Sequence, residues 1–115
     1  MSINGLLDGK QSPWGTIDAS GEIAPGILWC ATPSHGGIKV DRSHNARIPR
    51  EFREDGGWYE EDCAWCKPFI FFEEEIKKNT GDEGSMKAIA RQEHIMTAQA
   101  WFPEVFAHWK KFGPF

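Results

Sequence analysis

Side chains able to do chemistry crowd into the middle of this sequence. Ser34-His35-Gly36-Gly37 puts a hydroxyl beside an imidazole and two glycine amides, and Cys63-Ala64-Trp65-Cys66 is a CxxC pair. The first group has the parts of a nucleophile, a base and a nest for an oxyanion. The second has the spacing at which two thiolates share a zinc ion or close a redox disulfide. Ser34, His35 and Cys63 are therefore the catalytic candidates. Cys30, His35, Cys63 and Cys66 are the candidate zinc donors.

Each group also has a plainer structural reading. Neighbours in an extended chain point to opposite sides, so Ser34 and His35 need a special turn to touch, and no orienting acid stands out. As a hairpin loop, the same stretch needs Gly36 and Gly37 for positive φ and His35 for a structural hydrogen bond. A zinc site needs a second pair of ligands, and the second CxxC that usually supplies it is missing. Thioredoxin-like chemistry lacks its βαβ setting. Three cysteines without an export signal read as reduced thiols. The expectation is no cofactor, with zinc as the alternative. His44, His94 and His108 show no ligand spacing and read as surface or capping residues.

The acidic runs Glu60-Glu61-Asp62, Glu73-Glu74-Glu75 and Asp82-Glu83 form a second kind of candidate. Such a negative face attracts a basic partner or imitates a phosphate backbone, although charge runs are commonly only solvated. Glu60, Glu61, Asp62, Glu73, Glu74 and Glu75 are the expected partner-binding residues. Six tryptophans supply anchors for an interface as well as for a core.

These groups must be held by a modest scaffold. With 115 residues the chain can bury one core without metal or disulfides. Residues 1–11 read as a flexible lead and residues 12–115 as a single globular domain. Ser12-Pro13-Trp14-Gly15 and Ile23-Ala24-Pro25-Gly26 read as turns. Ile27 to Thr32 and Ile38 to Arg42 read as strands of a hairpin over about residues 27–42, closed by the five residues Pro33 to Gly37. Pro49 to Asp55 reads as a helix stopped by Gly56-Gly57, residues 63–66 as a strand, and Phe69 to Lys78 as a helix with acid early and base late. Asn79 to Gly84 reads as a polar loop. Ser85 caps a helix running from Met86 to Trp101, with Ile89, Met96, Ala100 and Trp101 as its apolar members, and Pro103 ends it. Phe102, Val105, Phe106, Trp109 and Phe112 make an amphipathic stripe. The fold class is α+β, a small antiparallel sheet against C-terminal helices.

A net charge of −4 disfavours direct nucleic-acid binding. No apolar run approaches the roughly 18 residues of a membrane span, so the expectation is a cytoplasmic protein without membrane contact.

Taken together, Ser12-Pro-Trp-Gly15, Ile23-Ala-Pro-Gly-Ile27, Thr32-Pro-Ser-His-Gly-Gly37, Asn45-Ala-Arg-Ile-Pro49, Gly56-Gly-Trp-Tyr-Glu-Glu-Asp-Cys63 and Trp101-Phe-Pro-Glu104 resemble a small domain family of unknown function. That family occurs in phage, prophage and bacterial proteins, and the resemblance spans roughly residues 12–106. It implies provenance and carries no transferable activity. In its pattern Cys63 belongs while Cys30 and Cys66 need not, which weakens the zinc and redox readings. By analogy of class, the expected function is a small acidic phage-type protein that binds a host protein, including one of a defence system such as CRISPR, and inhibits it. The alternative is a small enzyme or ligand-binding domain with Ser34, His35, Gly36, Gly37 and the Glu60 to Cys63 segment in one pocket.

Overall fold

Turn chemistry and apolar alternation between residues 11 and 40 build the β part of the fold. The computed structural model describes residues 5–79 and 92–112. Strands β1 (Gln11–Ser12) and β2 (Gly15–Thr16) form a two-stranded ribbon. Strands β3 (Ala19–Ala24), β4 (Ile27–Ala31), β5 (Gly36–Val40) and β6 (Trp58–Glu60) form an antiparallel sheet in that order. Pro25 and Gly26, the latter at φ +84°, suit the central positions of a type II turn between β3 and β4. Described helices are α1 (Arg42–Arg47), α2 (Cys66–Phe71), α3 (Glu73–Asn79), α4 (Glu93–Trp101) and α5 (Pro103–Phe112). The α+β class is as expected, and helices form the C-terminal part.

The hairpin is tighter than its sequence indicates. Thr32 Oγ1 donates to the His35 carbonyl at 2.8 Å and accepts the His35 N–H at 3.1 Å, closing the loop over Thr32–His35. Gly36 and Gly37 are thereby released into β5, opposite Ala31 and Cys30. Neither has a positive φ. Gly37 is needed for close approach instead: a Cβ there would strike the Tyr59 carbonyl and come within 2.7 Å of the Trp14 ring.

Pairing fixes the two faces of the sheet. Ile27 and Val40, and Ile38 and Tyr59, stand opposite one another on the core side, against the helices. Leu28, Lys39 and Trp58, and Cys30, Gly37 and Glu60, share the other side. The N-terminal segment reaches this sheet too. Gly5 N–H donates to the Ser20 carbonyl at 2.8 Å, Leu7 N–H to Ser20 Oγ at 2.9 Å, and Ser20 Oγ to Asp8 at 2.8 Å. Residues 5–11, expected as a lead outside the domain, are in this part hydrogen-bonded to β3.

Helix positions shift for identifiable reasons. The helix expected from Pro49 to Asp55 lies earlier, at α1, because the Asp41 side chain caps it by accepting the His44 N–H at 2.8 Å. Ile48, forced extended before Pro49 (φ −77°, ψ 132°), ends it. Residues 50–52 and 55–57 make only short 3₁₀ turns. The strand expected at 63–66 is a turn leading into α2. Pro68 does not interrupt that helix, since it occupies the first turn, where a missing N–H leaves no bond unmade. The single helix expected over 69–78 is two, broken at Phe72 (φ −121°, ψ 28°).

All six residues of α2 are buried, so it is the central rod of the core. Phe69, Ile70, Phe71 and Phe72 pack there with Ile76, Ala98 and Val105. Burying each large side chain contributes about 1.5–3 kcal/mol. In the helix expected over 86–101, the cap Ser85 and the segment through Arg91 lie outside the described residues, as do Asp82, Glu83 and the polar loop beyond Asn79. Within α4 the buried face is His94, Ile95 and Ala98, whereas Met96, Ala100 and Trp101 are exposed. The stripe on α5 holds for Val105, Phe106 and Trp109, but Phe112 is exposed.

Candidate functional site

The hairpin loop leaves Ser34 and His35 exposed, with the His35 backbone held by Thr32. No hydrogen bond joins Ser34, His35, Glu61 and Cys63. Glu61 comes nearest the loop, its N–H donating to the Gly36 carbonyl at 2.9 Å. Cys63 is half-buried, and its thiol points instead at Glu60, 3.9 Å away. Burial and then the Glu60 charge push its pKa up, the reverse of what a nucleophilic thiolate requires. Burial pushes Cys66 up to about 12, and it also raises Cys30. All three cysteines are free. Among the described residues no three His, Cys, Asp or Glu side chains are grouped to hold a metal, so Cys30, His35, Cys63 and Cys66 are not one donor set.

The acidic runs separate into structural and exposed members. Glu73 is buried and bonded to Lys77 at 3.0 Å, with His94 at 3.5 Å. Glu75 takes His44 Nε2 at 2.7 Å and Arg47 at 2.6 Å, while His44 Nδ1 meets Asp41 at 2.8 Å. The Glu75 bonds latch α1 to α3 and the Glu73 bonds run within α3 and to α4, so neither is a free carboxylate. Glu61, Asp62 and Glu74 are exposed, and Glu60 is half-buried. The histidine expectation is corrected for His94, which is fully buried, while half-buried His44 bridges the cap residue Asp41 and Glu75.

What the fold does assemble is a cleft of about 570 Å³ lined by Pro13, Trp14, Arg53, Glu54, Asp55, Trp58, Glu60, Cys63, Ala64 and Phe102. Ser12 builds its rim: its hydroxyl donates to the Gly15 carbonyl at 2.7 Å and accepts the Trp14 N–H at 3.2 Å. That turn sets Trp14 edge-on to Trp58, centroids 5.8 Å apart at 86°. Lys39 Nζ lies 5.1 Å from the centre of the Trp58 ring. Glu54 is neutralised by the buried Lys67 at 2.7 Å, and that ammonium also lies 4.3 Å from the Phe102 ring. Asp55 and Glu60 have no cation at ion-pair distance among the described residues. Two indole walls beside unpaired carboxylates form a setting for a cation.

Several of the motifs read in the sequence are scaffold for this cleft. The Tyr59 hydroxyl donates to Asn45 Oδ1 at 2.6 Å and accepts the Glu54 N–H at 3.2 Å, and Asn45 Nδ2 donates to the Glu54 carbonyl at 3.1 Å. Gly57, at φ +80°, sits where a Cβ would strike the Val40 carbonyl. The Asn45 and Tyr59 motifs thus join behind the cleft. Arg53 is a functional candidate missed in the sequence, and Trp14 and Trp58 stand there only as two of six possible anchors, without their pairing. The signal was there in the turn around Trp14 and the Gly-Gly before Trp58, but their proximity follows only from β5 pairing with β6.

A four-stranded antiparallel sheet with helices on one face defines the class as a small α+β domain. The sequence matches the DUF7007 family, described as a domain of unknown function, over residues 8–112, and the chain belongs to that family. No curated protein and no solved structure matches it. Among the described residues no helix is long and apolar enough to cross a membrane.

Proposed function

We propose that this protein works by binding, and that the Trp14–Trp58 cleft receives a basic side chain, arginine or lysine, of a protein partner. The observation that carries this reading is the edge-on indole pair beside Asp55 and Glu60, which offers π-faces and negative charge to the same cation. The acidic balance of the chain favours basic partners at long range. Glu61, Asp62 and Glu74 extend this charge at the exposed surface. The resemblance to phage and prophage proteins supports a cytoplasmic host protein as the partner, with inhibition of a defence system as the consequence of occupying it. The enzyme alternative has less support, because among the described residues no acid is hydrogen-bonded to His35, and burial with the Glu60 charge pushes the Cys63 thiol's pKa up.

Affinity capture from a bacterial lysate with wild type and variants tests the reading, backed by arginine-amide titration followed by tryptophan fluorescence. Glu60→Lys and Trp58→Ala should lose the partner and the arginine response. Ser34→Ala and His35→Ala should keep both. Capture that survives Glu60→Lys but fails with His35→Ala overturns it.

A further inference from the structure

A second hollow of about 460 Å³ is lined by Lys39, Arg42, Asn45, Ala46, Arg53 and Gly56. Half of these residues are cationic and none is acidic, in a chain whose net charge is −4. Two of the cations are pinned by carbonyl oxygens. Lys39 Nζ donates to Gly56 at 2.5 Å and to Val40 at 3.2 Å. Arg53 Nε and Nη2 donate to Ile48 at 3.2 and 3.0 Å, and Nη2 also to Ala46 at 3.1 Å. Carbonyl bonds fix a cation in place without neutralising it. Lys39 Nζ also lies over the Trp58 ring at 5.1 Å, a contact that leaves its charge in place. Among the described residues the Nη1 group of Arg53 makes no hydrogen bond and the exposed Arg42 guanidinium makes no ion pair. The carboxylate charge felt by Lys39 is that of Asp41, whose Oδ1 is already engaged by His44. Asn45 is spent on Glu54 and Tyr59 and serves as a wall.

We propose that this hollow binds a tetrahedral oxyanion, the phosphate of a small phosphate monoester or free phosphate, held by Lys39, Arg42 and Arg53. Pinned, uncompensated cations meet two requirements of such a site: the donors are preorganised, and charge-assisted bonds to phosphate are strong. Arg42 is the exposed member, with a guanidinium able to meet the ligand through two parallel N–H bonds. Burial lowers the Lys39 pKa, and an anion beside it offsets that desolvation. The hollow shares Arg53 with the tryptophan cleft and touches it again where Lys39 meets Trp58, but it takes the opposite charge and does not rest on the partner proposed there.

The test is a titration of the full chain, ¹⁵N-labelled, with inorganic phosphate and with a nucleoside monophosphate at constant ionic strength. Saturable shifts are expected at the Arg42, Asn45, Arg53 and Gly56 amides. Arg42→Glu should weaken both ligands at least tenfold while leaving the melting temperature unchanged, because Arg42 is exposed. Equal affinity for the two ligands assigns free phosphate, and tighter nucleotide binding assigns the monoester. Shifts that do not saturate, that acetate reproduces, or that persist in Arg42→Glu overturn the site. So does an oligonucleotide that binds far tighter than the mononucleotide with a steep salt dependence, which identifies a nucleic-acid surface instead.

Discussion

Trp14 meets Trp58 edge to face over Gly37, and the contact exists because residue 37 has no side chain. Any Cβ there must displace both the indole of Trp14 and the β6 carbonyl of Tyr59. Gly37→Ala should therefore destabilise the fold by about 1–3 kcal/mol, as overpacking of a filled site does. Ser34→Ala, in the exposed loop, should stay within about 0.5 kcal/mol. Urea denaturation compares them, and a Gly37→Ala protein as stable as Ser34→Ala refutes the close approach.

Tyr59 is fully buried and its hydroxyl is both donor and acceptor, to Asn45 and from Glu54. Tyr59→Phe keeps the ring and orphans both partners. The expected cost is about 1–3 kcal/mol, mostly from the unsatisfied groups left behind. Since the chain has one tyrosine, phenolate absorbance reports it alone and should rise near the shifted pKa of about 12. Ionisation at the ordinary tyrosine pH would contradict the burial.

The legible parts of the fold are those set by local chemistry. Pro25-Gly26 marks a turn, Ile27 to Thr32 reads as a strand and forms one over Ile27–Ala31, and Val105, Phe106 and Trp109 reveal the inner face of α5. Strand β3 was illegible because Ala19-Ser20-Gly21-Glu22 has little β-propensity and is held by pairing with β4. Helix α1 buries no residue, so it shows no periodicity and depends on its Asp41 cap. Helix α2 is buried all round, so its pattern is equally uninformative. Apolar identity also misleads on α4, where Met96 and Trp101 are 64 % and 67 % exposed while His94 is 0 %. The cleft was illegible for a topological reason: its two tryptophans come from distant segments.

The thiols should behave as inert groups. Cys30 and Cys66 are buried, Cys63 is half-buried, and all three have raised pKa values. A thiol reagent at neutral pH should label native Cys63 more slowly than a free model thiol and leave the other two untouched until unfolding. All three should react in denaturant. Rapid native labelling of Cys63 would restore it as a nucleophile candidate.

Acid should weaken the fold in two separate windows. His94 on α4 faces Glu73 and Lys77 of α3, and among the described residues its Nδ1 has no hydrogen-bond partner. Burial outweighs the attraction of Glu73 and lowers its pKa below the ordinary 6.5. The unfolded chain then binds more protons there than the folded one, so stability rises with pH. This contribution is complete above pH 6.5 and is lost as pH falls below it towards the folded value. Asp41 and Glu75 act lower on the scale. Although burial opposes ionisation, hydrogen bonds and charge from His44, with Arg47 at Glu75, hold both below their ordinary 3.8 and 4.5. Their stabilisation is present above those values and disappears as pH falls through the lowered ones. Urea midpoints measured across both windows should decline in two stages. His94→Gln should flatten the upper stage and keep the lower one. Glu75→Gln should do the reverse and cost about 1 kcal/mol at neutral pH, because that pair is partly exposed. An upper stage that survives in His94→Gln would move the acid sensitivity away from the α3–α4 contact.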